Sequence, residues 1–129
     1  MKLNNALRNY PSVDWEYEFS KETHPFKDGA ELAGDKLYPL KAIYIYQNPS
    51  PSPLSKMFGV GPQVNFVSDD FQFGLSINVS KPIIDAVCKN ILTNQEAIDS
   101  IKSGANFFKV VEKKPKIEGQ NSFYVVELI

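Results

Sequence analysis

Residues 71–81, FQFGLSINVSK, contain the most regular alternation in the chain. Every second residue from Phe71 to Val79 is apolar. The residues between them are small or polar: Gln72, Gly74, Ser76 and Asn78. A period of two is that of a β-strand with one face in the core and the other outward. The pattern therefore predicts a strand that buries its apolar face and exposes its polar face.

Four further segments have strand character. LYPLKAIYIYQN (37–48) is rich in aromatic and β-branched residues, and QVNFVSDD (63–70) is a short strand that ends in a turn at two aspartates. Between them lies PSPSPLSKMFGVGP (49–62), whose four prolines and two glycines exclude a regular element. NFFKVVEKK (106–114) and NSFYVVELI (121–129) are joined by a short polar segment and predict a hairpin.

The spacing of apolar residues changes to that of a helix in SKPIIDAVCKNIL (80–92). Ser80 is placed to cap this helix, and Pro82 falls in its first turn, where the missing N–H costs nothing. Residues 93–96 form a capping-box pattern that opens a second short helix, and Gly104 is suited to end it. One helical segment is therefore expected between the third and fourth strands.

The element order β-β-β-α-β-β is that of the OB-fold, a five-stranded Greek-key barrel. We therefore predict a mainly β protein, an OB-fold-like β-barrel over residues 37–129 with one helical segment. Residues 1–36 precede it as an N-terminal extension. Within them VDWEYEF (13–19) alternates as an extra edge strand would. The polar stretch that follows, SKETHPFKDGAELAGDK (20–36), is interpreted as an ordered arm, a partner-binding tail or a partly disordered segment.

The composition excludes several classes of protein. The 129 residues are 43% hydrophobic and 22% charged, as in soluble globular domains. No apolar run reaches the roughly 18 residues of a membrane span, and the first residues lack the apolar region of a secretory signal. The single cysteine, Cys88, excludes an intramolecular disulfide, and the net charge of −1 is not that of a polybasic nucleic-acid binder. We expect a cytoplasmic protein without a membrane segment.

The sequence contains no pattern typical of catalysis or of a metal site. His24 is the only histidine, which excludes a histidine pair. Asp69 and Asp70 are adjacent, but two carboxylates at a strand end ordinarily form a turn. FGVGP (58–62) lacks the lysine of a phosphate-binding loop. We therefore predict a protein that is not an enzyme and that uses no metal or cofactor.

Four segments within residues 37–129 carry a resemblance to a known family: YPLKAIYIY (38–46), FGVGPQVNFVSDD (58–70), AIDSIKSG (97–104) and NSFYVVEL (121–128). Together they resemble small OB-fold single-stranded DNA-binding proteins of bacteriophages and mobile elements. The resemblance implies DNA binding without sequence preference, in phage or mobile-element replication or recombination. It also implies a homo-oligomer whose partners are single-stranded DNA and proteins of replication or recombination.

Single-strand binding requires rings on which bases stack and a positively charged groove that follows the backbone. An OB-fold binds on the face of its second and third strands and with two flanking loops. The candidates are Tyr44 and Tyr46 on the first strand, Lys56 and Phe58 in the long loop, Gln72 on the polar strand face, and Lys113, Lys114 and Lys116 in the last hairpin.

Each candidate also has a structural interpretation, and the chain has two other possible functions. Tyr44 and Tyr46 are also suited to covering the barrel, Phe58 to anchoring a loop, and the lysines to an exposed hairpin tip. The first alternative function is a protein-interaction module, in which residues 13–19 or a strand edge recruits a partner. The second is a small phage structural protein. Neither alternative involves nucleic acid.

Overall fold

The computed structural model describes residues 10–47, 53, 61–116, 119 and 122–129. In chain order the elements are α1 (Gly29–Leu32), β1 (Tyr38–Pro39), β2 (Ala42–Tyr46), β3 (Gln63–Val67), β4 (Gln72–Gly74), α2 (Ile77–Ser80), α3 (Ile84–Val87), a π-helical turn (Cys88–Leu92), α4 (Gln95–Lys102), β5 (Phe107–Lys113) and β6 (Phe123–Leu128). The strands form two antiparallel sheets. Sheet I has the order β2–β3–β4, and sheet II has the order β1–β5–β6.

One extended segment contributes a strand to each sheet. β1 pairs with β5, and β2, only two residues further on, pairs with β3. At the junction the backbone N–H of Leu40 donates to Asn106 O, whereas the next N–H, that of Lys41, donates to Val67 O. The chain therefore changes sheets within one residue, with the Leu40 side chain buried at the junction.

The prediction of an OB-fold-like five-stranded barrel, mainly β with one helical segment, is wrong. β4 and β6 are the outer strands of two separate three-stranded sheets, and in the described part of the chain they do not pair. The N-terminal chain lies there instead. Phe26 bridges Gln72 of β4, and the ring of Tyr124 on β6 occupies the space that a side chain at Gly29 would need. The fold is a mixed α/β arrangement of two sheets and several short helices.

The strand predicted over residues 71–81 ends at Gly74. The Ser76 hydroxyl accepts a hydrogen bond from Val79 N at 3.3 Å and caps α2. Phe71, Phe73 and Leu75 are buried as predicted, but the apolar residues that follow them belong to a helix. Apolar residues at every second position fit both a long strand and a short strand followed by one helical turn. Here the cap provided by Ser76 stabilises the helical turn.

The helix predicted over residues 80–92 is interrupted. Pro82 lies in the turn between α2 and α3, and α3 continues directly into the π-helical turn. The second predicted helix is confirmed as α4. Its N-cap is Asn94, whose side chain accepts from Ala97 N at 3.2 Å, and Gly104 follows it with a left-handed φ of 84°.

The predicted hairpin of the last two strands is confirmed. β5 and β6 pair in register from Phe108 opposite Leu128 to Lys113 opposite Phe123. Phe108 and Val110 of β5 are fully buried, and Phe66 of β3 packs against the Phe108 ring with a centroid distance of 5.8 Å. The inner faces of both sheets thus share one hydrophobic core, which also includes Ile84, Leu92, Ile98 and Ile101 of the helical region.

Residues 10–27, here called the arm, pack on sheet I without forming the edge strand that VDWEYEF (13–19) suggested. Glu16 has a left-handed φ of 56°, which interrupts the extended chain. Trp15 is buried in the core cluster, and its indole N–H donates to Ile43 O at 3.0 Å. The Trp15 side chain, rather than a neighbouring strand, therefore donates the hydrogen bond that this carbonyl of β2 accepts. Among the described residues, no helix is long and apolar enough to cross a membrane.

Candidate nucleic-acid interface

One face of sheet I carries aromatic and amide side chains. Side chains alternate along a strand, so Tyr44 and Tyr46 share this face with their cross-strand partners, Asn65 and Gln63. Three of the predicted site residues, Tyr44, Tyr46 and Gln72, are thus brought onto one face. We define the polar face by six residues of β2, β3 and β4: Tyr44, Tyr46, Gln63, Asn65, Gln72 and Gly74.

Gln72 is buried, with 2% of its surface exposed, although its alternation predicted an outward position. The Tyr44 hydroxyl donates to Gln72 Oε1 at 2.5 Å, and Gln72 Nε2 donates to His24 O at 3.0 Å. The Gln72 backbone also pairs with the arm, since Lys27 N donates to Gln72 O and Gln72 N donates to Pro25 O. Gln72 therefore ties the arm to sheet I.

Tyr44 lies under a stack of rings from the arm. The centroid of Phe19 is 5.5 Å from that of Tyr44, and Tyr17 stacks on Phe19 at 6.5 Å. Burial raises the pKa of the Tyr44 hydroxyl, partly opposed by a hydrogen bond with Asn65. The position of a stacking partner on Tyr44 is thus already occupied by Phe19.

His24 holds the arm in place beside this stack. Both of its ring nitrogens are hydrogen-bonded, Nε2 with the Tyr17 hydroxyl at 2.9 Å and Nδ1 with Thr23 Oγ1 at 2.8 Å. The Tyr17 hydroxyl also donates to the carbonyl of Asp69 at 3.1 Å. His24 is therefore buried within the arm and holds the Tyr17 hydroxyl, which in turn contacts the turn after β3.

Tyr46 differs from Tyr44 because 46% of it is exposed. With Lys21, Phe26, Tyr44, Gln63 and Asn65 it lines a cleft of about 260 Å³. Phe26, 44% exposed, enters this cleft from the arm. Sequence reasoning missed Phe26, for which the available signal was a single large apolar residue within a polar segment.

A second cleft, of about 560 Å³, lies between the facing edges of β4 and β6. Gln63 lines both clefts, which are therefore neighbours. The second cleft is also lined by Lys27 and Asp28 and by Phe123, a ring that is 38% exposed. Phe123 is the cross-strand partner of Lys113, so this lysine lies at the end of β5 beside the cleft.

The other predicted site residues lie near the end of β5 or outside the described residues. Lys113, Lys114 and Lys116 are all exposed at the end of β5 and in the loop that follows. Lys56 and Phe58 lie outside the described residues. Lys21 and Lys27, which sequence reasoning did not select, contribute positive charge beside the exposed rings.

Metal ligands and known relatives add no further candidate. In the described ranges no three histidine, cysteine, aspartate or glutamate side chains are grouped as metal ligands would be. The predicted turn at Asp69 and Asp70 is confirmed, since Ser68 N donates to Phe71 O at 2.9 Å across it. The chain matches no protein-family model, no curated protein and no solved structure.

Proposed function

We propose that this protein binds single-stranded DNA without sequence preference, in phage or mobile-element replication or recombination in the cytoplasm. The observation that carries the proposal is a set of three exposed rings beside two neighbouring clefts. These rings, Phe26, Tyr46 and Phe123, are between 38% and 46% exposed. We call them the ring path. Rings left half-exposed in this way can stack successive bases, because every base has a flat apolar face.

The few positive charges beside the ring path are suited to weak contacts with the phosphate backbone of DNA. Stacking of the bases on the rings then supplies most of the affinity. Lys21 lines the cleft of Phe26 and Tyr46, Lys27 lines the cleft of Phe123, and Lys113 lies across from Phe123. Each stacked base contributes about 1–3 kcal/mol. Three rings with a few lysines therefore support binding by a chain whose net charge is −1.

Gln63, the partly exposed amide of the polar face, supplies an uncharged hydrogen-bonding group between the rings, and the buried Asn65 lies beside it. Gln63 Nε2 donates to Asn65 Oδ1 at 2.9 Å, so the two side chains hold each other in place across the floor of the first cleft. Gly74 leaves the space for this arrangement, because a side chain there would collide with both amides. In the proposed complex Tyr46 stacks a base, and Tyr44 supports the arm that positions Phe26.

The test is a fluorescence-anisotropy titration with a labelled oligo(dT) of about 35 nucleotides, long enough for several stacked bases at typical site sizes. It is run at low salt and again near 0.2 M salt, since phosphate contacts weaken as salt rises. Wild type is expected to bind and to lose affinity with salt. Tyr46→Ala together with Phe26→Ala is expected to weaken binding at least about tenfold, because two stacking contacts are removed.

The matched control is Leu128→Ala, which removes a large apolar side chain of similar exposure (45%) from sheet II, outside the ring path. Its affinity for oligo(dT) is expected to equal that of wild type. An absence of binding at low salt would contradict the proposal and favour a protein-interaction module. Binding that is unchanged in the double variant would remove the ring path from the site.

A further inference from the structure

Exposed apolar side chains concentrate on sheet II. Among the described residues, the large apolar side chains that are more than a third exposed are Phe26, Leu37, Tyr46, Phe107, Phe123, Leu128 and Ile129. Apart from the rings of the ring path, all of them lie on sheet II or directly beside its strands. Clusters of this kind on a protein surface mark interaction sites.

The pairing of β5 and β6 brings these side chains onto one surface. Phe107 and Ile129 exchange both backbone hydrogen bonds, at 3.2 and 2.8 Å, so their side chains stand next to each other. Phe108 is fully buried in the core, and alternation therefore directs Phe107 away from it. Val111 and Val125, four residue pairs further along, lie on the same outer side and are partly exposed.

One pair of opposite charges lies between the two apolar pairs. Lys109 is directly opposite Glu127, with 3.6 Å between Nζ and Oε1. We define the outer face of sheet II by Leu37, Phe107, Lys109, Val111, Val125, Glu127 and Ile129. This face has an apolar pair on either side of Lys109 and Glu127, whose two charges sum to zero. Asp35 and Glu112 line a cleft together with these two residues, and Lys113 follows beyond Val111.

We propose that the outer face of sheet II binds a second copy of this chain in a two-fold symmetric dimer. In such a dimer the same patch occurs on both sides, so a patch must be complementary to itself. One lysine beside one glutamate fulfils this condition, because the two-fold axis brings Lys109 of one copy towards Glu127 of the other. The apolar pairs on either side then cover each other. Phe123 of the ring path lies two residues from Val125 on β6, so the two proposed surfaces adjoin each other. The inference does not depend on the proposed function, because its test measures sedimentation without DNA.

The decisive experiment is charge complementation in analytical ultracentrifugation. The single variants Lys109→Glu and Glu127→Lys each place two like charges on the outer face, so each alone is expected to sediment as a 14.5 kDa monomer. An equimolar mixture restores opposite charges across the interface, although each chain still has like charges within itself. The mixture is therefore expected to sediment at twice that mass, as wild type does.

Two results would overturn the proposal. The first is a wild-type chain that stays monomeric over an approximately hundredfold range of concentration, since dimerisation follows mass action. The second is a pair of single variants that dimerise as well alone as in the mixture. Phe107→Asp is expected to abolish the dimer, whereas Phe26→Asp on the ring path is expected to leave it intact. Circular dichroism establishes that each variant is folded.

Discussion

The outer surfaces of the two sheets are constructed in opposite ways. The polar face of sheet I is partly covered by the arm, and one of its two buried amides, Gln72, has hydrogen-bond partners in both β2 and the arm. The outer face of sheet II carries uncovered apolar side chains around one ion pair. The first surface is completed within the chain, whereas the second is completed, in our proposal, only by another copy.

The difference follows from the different free-energy costs of leaving a polar group and an apolar group without a partner. A buried amide without partners costs about 1–3 kcal/mol, so Gln72 requires the arm as a fixed part of the fold. An exposed apolar side chain costs less, and it contributes binding energy when a partner covers it. Changes at the buried residues of the polar face should therefore affect stability, and changes at the outer face of sheet II should affect association.

The largest effect is expected for Gln72→Ala. The substitution removes the acceptor of the Tyr44 hydroxyl and the donor to His24 O, and it leaves a cavity under the arm. We expect the free energy of unfolding to fall by about 2–4 kcal/mol, measured by urea denaturation with circular dichroism.

The matched control for this prediction is Gln95→Ala. Gln95 is exposed, and its amide donates only to Asp99, one turn along α4. Its removal should change the free energy of unfolding by less than about 0.5 kcal/mol. A Gln72→Ala protein as stable as this control would show that the arm is not held by the buried amide.

The burial of Gln72 also shows what the sequence did not contain. Alternation correctly placed Phe71, Phe73 and Leu75 in the core, because a period of two fixes which side of a strand each residue takes. The alternation does not indicate which part of the chain covers the other side of the strand. The covering group, His24, is 48 residues away in the chain, and no local pattern connects it to Gln72.

The same reason explains why the strands were predictable and their closure was not. β-branched and aromatic residues identify β2, β3, β5 and β6 locally, and the short polar segment between the last two strands predicts that they form a hairpin. Whether β4 meets β6 depends on Phe26 and Gly29, which lie between them but belong to a segment with no strand pattern. Of the candidate site, Tyr46 could be selected from strand character alone, but Phe26 depends on the tertiary fold.

The second prediction separates the two tyrosines of β2. Tyr44→Phe removes the hydroxyl that donates to Gln72 and leaves the ring under Phe19. We expect it to lower the free energy of unfolding by about 1–2 kcal/mol with no change in affinity for oligo(dT). Tyr46→Phe, on the exposed ring two residues away, should change neither quantity. Equal losses of stability in both variants would contradict the distinction between a structural and a stacking tyrosine.

The third prediction concerns alkaline pH. Burial raises the pKa of both Tyr44 and Tyr17 above the ordinary value, and Asp69 and Asp70 add to the increase for Tyr17. The folded protein therefore keeps these protons longer than the unfolded chain does. Their contribution to stability is complete below the unfolded pKa, near 10, and is lost as the pH rises above it through the folded values.

The measurement for this third prediction is urea denaturation at a series of alkaline pH values. Wild type should lose stability more steeply above the unfolded tyrosine pKa than Tyr44→Phe, and the variant that also carries Tyr17→Phe should lose it least steeply. Parallel curves for all three proteins would mean that neither hydroxyl is held in its protonated form by the fold.

The smallest expected effect is that of removing one negative charge, either at the cleft of Phe123 or on the outer face of sheet II. Asp28 lines the cleft of Phe123, and its carboxylate repels a phosphate backbone there, whereas Glu127 lies on the outer face of sheet II. Asp28→Asn keeps a residue that is equally favourable before a helix, so α1 should be retained. At low salt we expect a gain in oligo(dT) affinity of about twofold to fivefold, the size of a solvent-screened charge interaction. Glu127→Gln makes the same change in net charge and should give no gain. A similar gain in both variants would mean that the affinity for DNA depends only on the net charge of the protein. It would contradict the location of the binding site at the ring path.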